Sequence, residues 1–203
     1  MGKAIASITT SVDGYITGPD DRPGQGLGLG GERLHHWVFG GPWTYAGHRE
    51  MGTMSGEDKA FYDPLVANLG AGICGRGMYE AAGAWGGTNP FGSALLVLTH
   101  RLDGAPPAES GFHFVGDLDT AVEQARELAQ GRDIGFVGGA DLIRQALARG
   151  FVDELSISTA PVILGQGKRL FDGFQRDLDL KIVSVHSSRF ATHVTYRVVG
   201  REV

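Results

Sequence analysis

The sequence predicts an α/β protein with a mostly parallel, twisted sheet and an antiparallel edge near its C-terminal end. Up to residue 150, short apolar runs alternate with segments of helical periodicity, which is typical of strands joined by crossover helices. The runs 95–99 and 134–137 are almost entirely apolar, as expected of strands buried on both faces. Residues 180–185 and 192–199 then follow one another as strands, and this order predicts an antiparallel pair.

The remaining elements follow from apolar spacing and from glycine, proline and capping residues. We predict strands at residues 4–10, 15–16, 71–74, 95–99, 112–115, 134–137, 153–159 (continuing through 160–165 to a polar turn at 166–169), 180–185 and 192–199. We predict helices at 32–39, at 57–69, from 76 onward, at 118–130 with Asp117 or Asp119 as cap, and after Gly138-Gly139 as far as Gly150. No internal repeat or domain boundary is visible, so we expect one domain over 1–203.

Two loops are long enough to carry function. Residues 17–31 are rich in Gly, Pro and Asp, and they form either a lid or a surface excursion. Residues 42–56, with Trp43, Tyr45 and His48, form either a wall of a substrate site or an ordinary loop. The sequence leaves both alternatives open.

Composition excludes several classes of function. The net charge is −5 and no long basic run occurs, so we expect no nucleic-acid partner. The single cysteine, Cys74, excludes an internal disulfide and a cysteine-rich metal site. No apolar run approaches the roughly 18 residues that a membrane-spanning helix needs. Because the N-terminal residues lead directly into a strand without a signal-peptide pattern, we expect a cytoplasmic location.

A strand-to-helix turn at Gly138-Gly139 is the strongest local indication of a ligand site. The strand 134–137 breaks at these two glycines, and Leu142, Ile143 and Ala146 then recur at helical spacing. The unpaired N–H groups of the helix start, together with the helix dipole, favour an anion, and glycines let it approach closely. The turn therefore predicts a seat for a pyrophosphate, with a tight turn that binds nothing as the alternative.

Two further strand ends carry groups suited to phosphate. The strand 71–74 runs into Gly75 and Arg76, and a guanidinium matches phosphate oxygens well. The strand 95–99 ends in Thr99, His100 and Arg101. Since ligands of open α/β sheets bind at the carboxyl ends of strands, these residues are candidates for one site. Solvated surface charges are the alternative.

Candidate proton donors are few. Asp13 precedes Gly14, and it acts either as a turn residue through its own side chain or in catalysis. Glu32, His35 and His36 lie in the predicted helix 32–39. Adjacent histidines point about 100° apart on a helix, so they do not form a simple pair of metal ligands, and we predict no metal site.

Several stretches together resemble the dihydrofolate-reductase-like superfamily. They are residues 11–16 (SVDGYI), 75–78 (GRGM), 98–101 (LTHR), 137–142 (VGGADL), and 153–155 with 161–165 (DEL, PVILG). These stretches most resemble the pyrimidine-reductase domain of riboflavin biosynthesis and its stand-alone bacterial relatives. Residues 30–37 resemble one stand-alone subgroup in particular. The resemblance implies a three-layer fold with helices on both faces of the sheet, and NADPH bound across the strand ends. It also implies a homodimer, because relatives commonly pair through their sheets.

The resemblance implies a place for each part of the cofactor. The pyrophosphate falls at Gly138, Gly139, Ala140, Asp141 and Leu142, with a second cofactor loop at Gly75, Arg76, Gly77 and Met78. The 2′-phosphate falls at Thr99, His100 and Arg101, and the nicotinamide at Thr9 and Ile16.

The function expected from these observations is an NADPH-dependent reductase. It would transfer hydride to a C=N or C=O bond of a small, pterin- or pyrimidine-like substrate. Asp13, Glu32, His35 and His36 are the candidate proton donors, and water is another source. The alternatives are a non-catalytic nucleotide-binding or regulatory module on the same fold, and a metal-dependent hydrolase that uses the histidines.

Overall fold

The computed structural model describes residues 2–45, 54 and 56–199, and within them the chain has ten β-strands and four α-helices. The strands are β1 (Ala4–Ser11), β2 (Tyr15–Thr17), β3 (Leu69–Gly75), β4 (Ala94–Leu98), β5 (Phe112–Val115), β6 (Asp133–Gly138), β7 (Glu154–Ala160), β8 (Lys168–Arg169), β9 (Asp179–Ser187) and β10 (Thr192–Val199). The helices are α1 (Gly56–Ala67), α2 (Arg76–Ala81), α3 (Leu118–Ala129) and α4 (Ala140–Ala148). None of the helices in this described part is long and apolar enough to span a membrane.

Eight strands form the main sheet in the order β5-β4-β3-β6-β1-β7-β10-β9. The first six are parallel, whereas β10 pairs antiparallel with both β7 and β9. At the centre, Ala6 of β1 lies opposite Phe136 of β6 and Leu155 of β7. This arrangement confirms the predicted parallel sheet with an antiparallel C-terminal edge.

Side chains of alternate strand residues enter two cores on opposite faces of the sheet, as the period of a strand requires. In β3, Ile73 packs in a cluster with Ala125 of α3 and Ile143 of α4. The next residue, Cys74, packs in a second cluster with Met78 of α2. Because helices cover both faces, the predicted three-layer α/β fold is confirmed.

Capping at α3 also agrees with the sequence. Asp117 precedes the helix in an extended conformation, and its Oδ1 accepts a hydrogen bond from the backbone N–H of Thr120 at 2.9 Å. An acidic side chain at this position satisfies one of the free N–H groups of the first turn. The cap is therefore Asp117, one of the two predicted residues.

The prediction that the strand 153–159 continues through residue 165 is wrong. β7 ends at Ala160, and Pro161 follows, which has no N–H to donate to a ladder. The backbone N–H groups of Leu164 and Gly165 donate instead to the carboxylate of Asp13, at 3.1 and 2.7 Å. A distant side chain thus satisfies the backbone where the pattern predicted a strand.

Two other predictions differ in detail. The helix predicted at 32–39 is a 3₁₀ turn over Gly31–His35, with glycines of positive φ at Gly30 and Gly40 before and after it. The predicted polar turn at 166–169 contains β8, which pairs antiparallel with β2. His48, in the loop predicted at 42–56, lies outside the described residues.

Candidate functional site

One cleft of about 1340 Å³ opens where β3, β4 and β6 end. It also borders β1, α2 and the beginning of α4. Every residue that the resemblance assigned to the cofactor lines this cleft: Thr9, Ile16, Gly75, Arg76, Gly77, Met78, Thr99, His100, Arg101, Gly138, Gly139, Ala140, Asp141 and Leu142. Parallel pairing produces this convergence, because it brings the carboxyl ends of the strands to one edge.

Close approach of two turns explains the glycines at the base of the cleft. Cys74 pairs with Gly138, so the ends of β3 and β6 are neighbours. Gly138 has a φ of +123°, and a Cβ there would lie 3.1 Å from Sδ of Met78. A Cβ on Gly75 would lie 3.8 Å from the backbone N of Gly139. The peptide bond between Gly138 and Gly139 is cis. Glycine at these positions therefore keeps the space between the two turns open.

The beginning of α4 faces the cleft without a side-chain cap. Gly139 precedes the helix in an extended conformation and makes no capping hydrogen bond. The side chain of Asp141, in the first turn, accepts a hydrogen bond from Nε2 of Gln145 at 2.7 Å and lies 3.6 Å from the guanidinium of Arg144. The N–H groups of this turn are thus not used by a side-chain cap, and a helix of this length attracts an anion there.

Two arginines meet on one carboxylate where β4 and α2 approach each other. Nε of Arg76 donates to Oε1 of Glu80 at 2.8 Å, and Nη2 of Arg101 donates to the same oxygen at 3.0 Å. The hydrogen bond from Arg76 holds the pKa of Glu80 below its usual value. The guanidinium of Arg76 also lies over the ring of Phe114, 4.9 Å from its centroid. Thr99 accepts the backbone N–H of Arg101 at 3.1 Å, which fixes the turn after β4.

The opposite wall of the cleft is aromatic. His35, Phe39, Trp43 and Tyr45 form a row in which neighbouring ring centroids lie 6.5, 4.8 and 5.0 Å apart. Burial lowers the pKa of His35 to about 4, so its ring is neutral near pH 7. Nε1 of Trp37 donates to Oγ1 of Thr9 at 3.1 Å and joins this wall to β1. The wall offers flat apolar surfaces and hydroxyl groups to a ligand.

The loop 17–31 covers part of the cleft. Its residues Gly24, Gly26 and Leu27 line the cleft, and the backbone N–H of Leu27 donates to the hydroxyl of Tyr45 at 2.7 Å. A Cβ on Gly26 would lie 2.9 Å from the carbonyl oxygen of Ala81. The loop therefore bridges the aromatic wall and the end of α2, as a lid would.

Asp13 does not line this cleft. Its carboxylate accepts the hydroxyl of Ser11 at 2.6 Å in addition to the N–H groups of Leu164 and Gly165. These hydrogen bonds, that of Ser11 first, lower the pKa of Asp13 to about 2. Asp13 lines a second pocket of about 450 Å³. Its geometry is that of a turn residue, the alternative that the sequence left open.

Glu32 and His36 do not line the cleft either. The ring of His36 meets the ring of Phe190 edge-on, with the centroids 6.4 Å apart, and burial lowers its pKa. The catalytic role of Asp13, Glu32 and His36 stays a prediction. Across the described ranges, no three His, Cys, Asp or Glu side chains come together that could hold a metal ion.

A buried polar triad behind the aromatic wall was not predicted from the sequence. Nε2 of His193 lies 2.9 Å from Oδ1 of Asp58, and Nδ1 lies 2.7 Å from Oγ of Ser158. A carboxylate only accepts, so Nε2 carries the hydrogen and Nδ1 accepts from the hydroxyl. The imidazole stacks on Phe61 at 4.2 Å and contacts the edge of Trp37 at 4.8 Å. The triad thus supports Trp37 from behind, and its members do not line the cleft.

The profile of the RibD C-terminal domain family matches residues 3–196. Protein YyaP of Bacillus subtilis (strain 168) is 38% identical over 71 residues, which cover 34% of this chain and 38% of YyaP. The match to this curated relative thus spans well under half of its length.

Solved structures resemble the fold over nearly the whole chain, and two of them serve as examples. One is a candidate riboflavin biosynthesis protein of Shewanella sp. PV-4, with a TM-score of 0.69, 19% identity, and coverage of 98% of this chain and 99% of that one. Another is dihydrofolate reductase from Enterococcus faecalis complexed with NADP(H), with a TM-score of 0.58, 14% identity, and coverage of 97% and 96%. These likenesses show a shared fold.

Proposed function

The chain belongs to the RibD C-terminal domain family, and from that premise we propose that it is an NADPH-dependent reductase of a small heterocyclic substrate. The observation that carries the proposal is the convergence of three strand-end turns on one cleft. Each turn carries groups of the kind that a phosphorylated dinucleotide needs. The family and the dihydrofolate-reductase-like neighbours support a reductase-type domain.

The residues of the cleft fit NADPH in two ways. A Cβ on Gly138 would lie 3.1 Å from Sδ of Met78, and a pyrophosphate that contacts the backbone of this turn would need that space free of a side chain. Nη1 of Arg76 is buried and has no hydrogen-bond partner within the described part of the chain. A buried donor of this kind is costly unless a ligand satisfies it. We assign the pyrophosphate to the start of α4, and the 2′-phosphate to Arg76 and Arg101.

In this proposal the cofactor supplies the hydride, and the protein positions the reactants and excludes water. Ile16 and Thr9 border the nicotinamide. Leu27 and Tyr45, joined by their hydrogen bond, close the lid over the substrate. Reduction of a C=N or C=O bond adds the hydride to carbon and a proton to nitrogen or oxygen. Because His35 is neutral near pH 7 and Asp13, Glu32 and His36 lie elsewhere, we assign the proton to water.

The aromatic wall favours a flat, uncharged substrate. Rings stack on Phe39, Trp43 and Tyr45 with little loss of side-chain entropy, and the hydroxyl of Thr9 helps to orient polar edges. This supports a pterin- or pyrimidine-like heterocycle.

Binding to the two nicotinamide cofactors tests the proposal. We expect NADPH to raise the melting temperature of the protein more than NADH at equal concentration, since it alone carries the 2′-phosphate. We also expect oxidation of NADPH, followed by its absorbance, with at least one compound in a panel of pterins, pyrimidines and cyclic carbonyl compounds. No shift with either cofactor would overturn the proposed function.

A non-catalytic nucleotide-binding module is the second candidate, and one observation favours it. Three of the four candidate proton donors, Asp13, Glu32 and His36, do not line the cleft, and the fourth, His35, is neutral near pH 7. This candidate predicts tight binding of NADPH with no oxidation across the whole panel.

We also propose a homodimer that pairs through an exposed apolar surface at the C-terminal edge of the sheet. Val12, Ile182 and Val185 are 62%, 68% and 55% exposed. Val185 pairs with Val194, which lines the second pocket together with Val12 and Tyr196. Light scattering after gel filtration should give a dimer for the wild type and a monomer for Ile182→Asp with Val185→Asp. Leu128→Asp, on α3, is the matched control, and a wild-type monomer would contradict the proposal.

A further inference from the structure

We propose that Glu80, which lies beside the cleft and binds two of its lining residues, determines specificity: its carboxylate competes with the 2′-phosphate of the nucleotide for Arg76 and Arg101. Glu80 would thereby set how strongly the protein prefers a 2′-phosphorylated dinucleotide over the unphosphorylated one. This inference rests on the proposed function, because it concerns the same nucleotide site.

The geometry makes Glu80 a direct competitor. A single oxygen, Oε1, accepts from both guanidinium groups, at 2.8 Å from Arg76 and 3.0 Å from Arg101. A phosphate oxygen is the same kind of acceptor. It would take Nη2 of Arg101 from Oε1, and at Arg76 it would use Nη1, which has no partner within the described residues, on a guanidinium whose charge Glu80 already offsets. Two cations and one anion leave a net charge of +1 at the place where a dianionic phosphate would bind. Removal of the carboxylate charge would double that net charge.

The two arginines differ in how firmly they are held. The side chain of Arg76 is 24% exposed, and its guanidinium lies against both Phe114 and Tyr79, 4.9 and 5.7 Å from their ring centroids. The side chain of Arg101 is 66% exposed. The two ring contacts therefore hold Arg76 whether or not Glu80 is charged, whereas the more exposed Arg101 can turn from Glu80 to a ligand. Glu80 therefore affects nucleotide binding mainly through its negative charge and less through its hydrogen bond to Arg76.

Glu80→Gln separates the charge from the hydrogen bond. The amide oxygen of glutamine still accepts from a guanidinium, so the orientation of Arg76 remains, and the negative charge is gone. Glu80→Ala removes both. Asp63→Asn is the matched control, because Asp63 forms an exposed pair with Lys59 on α1 at 2.8 Å, and its loss changes the net charge equally.

The test is a calorimetric titration of the wild type, Glu80→Gln, Glu80→Ala and Asp63→Asn with NADPH and with NADH at low salt. For Glu80→Gln we expect the ratio of the two dissociation constants, Kd for NADH over Kd for NADPH, to rise by about three- to tenfold. The Kd for NADH should stay within about twofold of the wild type. The ratio for Asp63→Asn should stay at the wild-type value. Added salt should shrink the gain, since it screens exposed charges.

The outcomes separate this inference from the proposed function. An unchanged or lower ratio in Glu80→Gln, with both cofactors still bound, overturns the role of Glu80 and leaves the proposed function standing. A rise that Asp63→Asn shares equally also overturns it, because net charge alone would then be the cause. Failure of the wild type to bind either cofactor overturns both. Melting temperatures of the variants verify that each is folded.

Discussion

The two walls of the cleft use polar groups in opposite ways. On the strand-end wall, the guanidinium groups of Arg76 and Arg101 and the open turn at Gly138-Gly139 face the cleft. On the aromatic wall, ring surfaces face the cleft and the polar triad of Asp58, His193 and Ser158 lies behind them. We propose that the first wall binds the charged part of a ligand. Behind the second, the buried polar triad packs against Trp37, which lines the cleft, and we expect it to contribute to stability.

Of the changes that test this contrast, loss of the triad should have the largest effect, and that effect is on the free energy of unfolding. Asp58→Ala leaves Nε2 of a fully buried His193 without its acceptor. We expect the free energy of unfolding to fall by about 3 kcal/mol, because a buried donor loses its partner. Urea unfolding at pH 7 measures the loss. Asp63→Ala, five residues later on the exposed side of α1, should change it by under about 0.5 kcal/mol.

The same variant sharpens the comparison of the two walls. If the triad serves stability, folded Asp58→Ala should bind NADPH within a few-fold of the wild type. A loss of NADPH binding comparable to that of an arginine variant would contradict the assignment of stability, and not of binding, to the triad.

Removal of the cations should have the next largest effect, on binding and not on stability. For Arg76→Ala combined with Arg101→Ala, we expect NADPH to bind roughly 30-fold more weakly, since two charge-assisted contacts are lost. NADH should change by about twofold. Titration calorimetry measures both, with Arg126→Ala on α3 as the control. Equal weakening for both cofactors would show that the arginines do not hold the 2′-phosphate.

A smaller effect is expected from pH. The stability of the fold should depend on pH through His35, in the aromatic wall, and His193, behind it. Burial lowers the pKa of His35 to about 4, and it also lowers the pKa of His193. Below a pH of about 6.5 the unfolded chain gains protons at these residues that the folded chain does not bind. The free energy of unfolding should therefore fall as the pH drops from about 6.5 toward 4.

Replacement of His35 separates the two histidines. In His35→Asn, the free energy of unfolding should decline between pH 6.5 and 4 by about 1 kcal/mol less than in the wild type. The difference is this small because water in the cleft screens the charge of His35. Urea unfolding at a series of pH values measures the difference. A decline as steep as that of the wild type would show that His35 does not bear on the pH dependence.

Sequence reasoning succeeded where the deciding interactions are local. The turn at Gly138-Gly139 and the cap at Asp117 each depend on residues within a few positions of one another, so spacing and residue type are enough to predict them. The meeting of the strand-end turns also follows, because a parallel sheet aligns the ends of its strands. The convergence of these turns on one cleft was predictable for these reasons.

Interactions between segments that are distant in the sequence could not be predicted. Asp13 binds the backbone of Gly165 across 152 positions, in a segment that the sequence had assigned to a strand. Asp58 and His193 lie 135 positions apart, and neither has a neighbour in sequence that marks it as a partner. Both pairs depend on which strands and helices are adjacent, and residue patterns do not encode that adjacency directly.

The most direct test of the central claim is a crystal structure of the protein with NADPH bound. We predict the pyrophosphate within hydrogen-bond distance of the first-turn N–H groups of α4, the 2′-phosphate in contact with Arg76 and Arg101, and the nicotinamide beside Thr9 and Ile16. A cofactor bound elsewhere, or bound with its 2′-phosphate away from both arginines, would contradict the assignment of the strand-end wall.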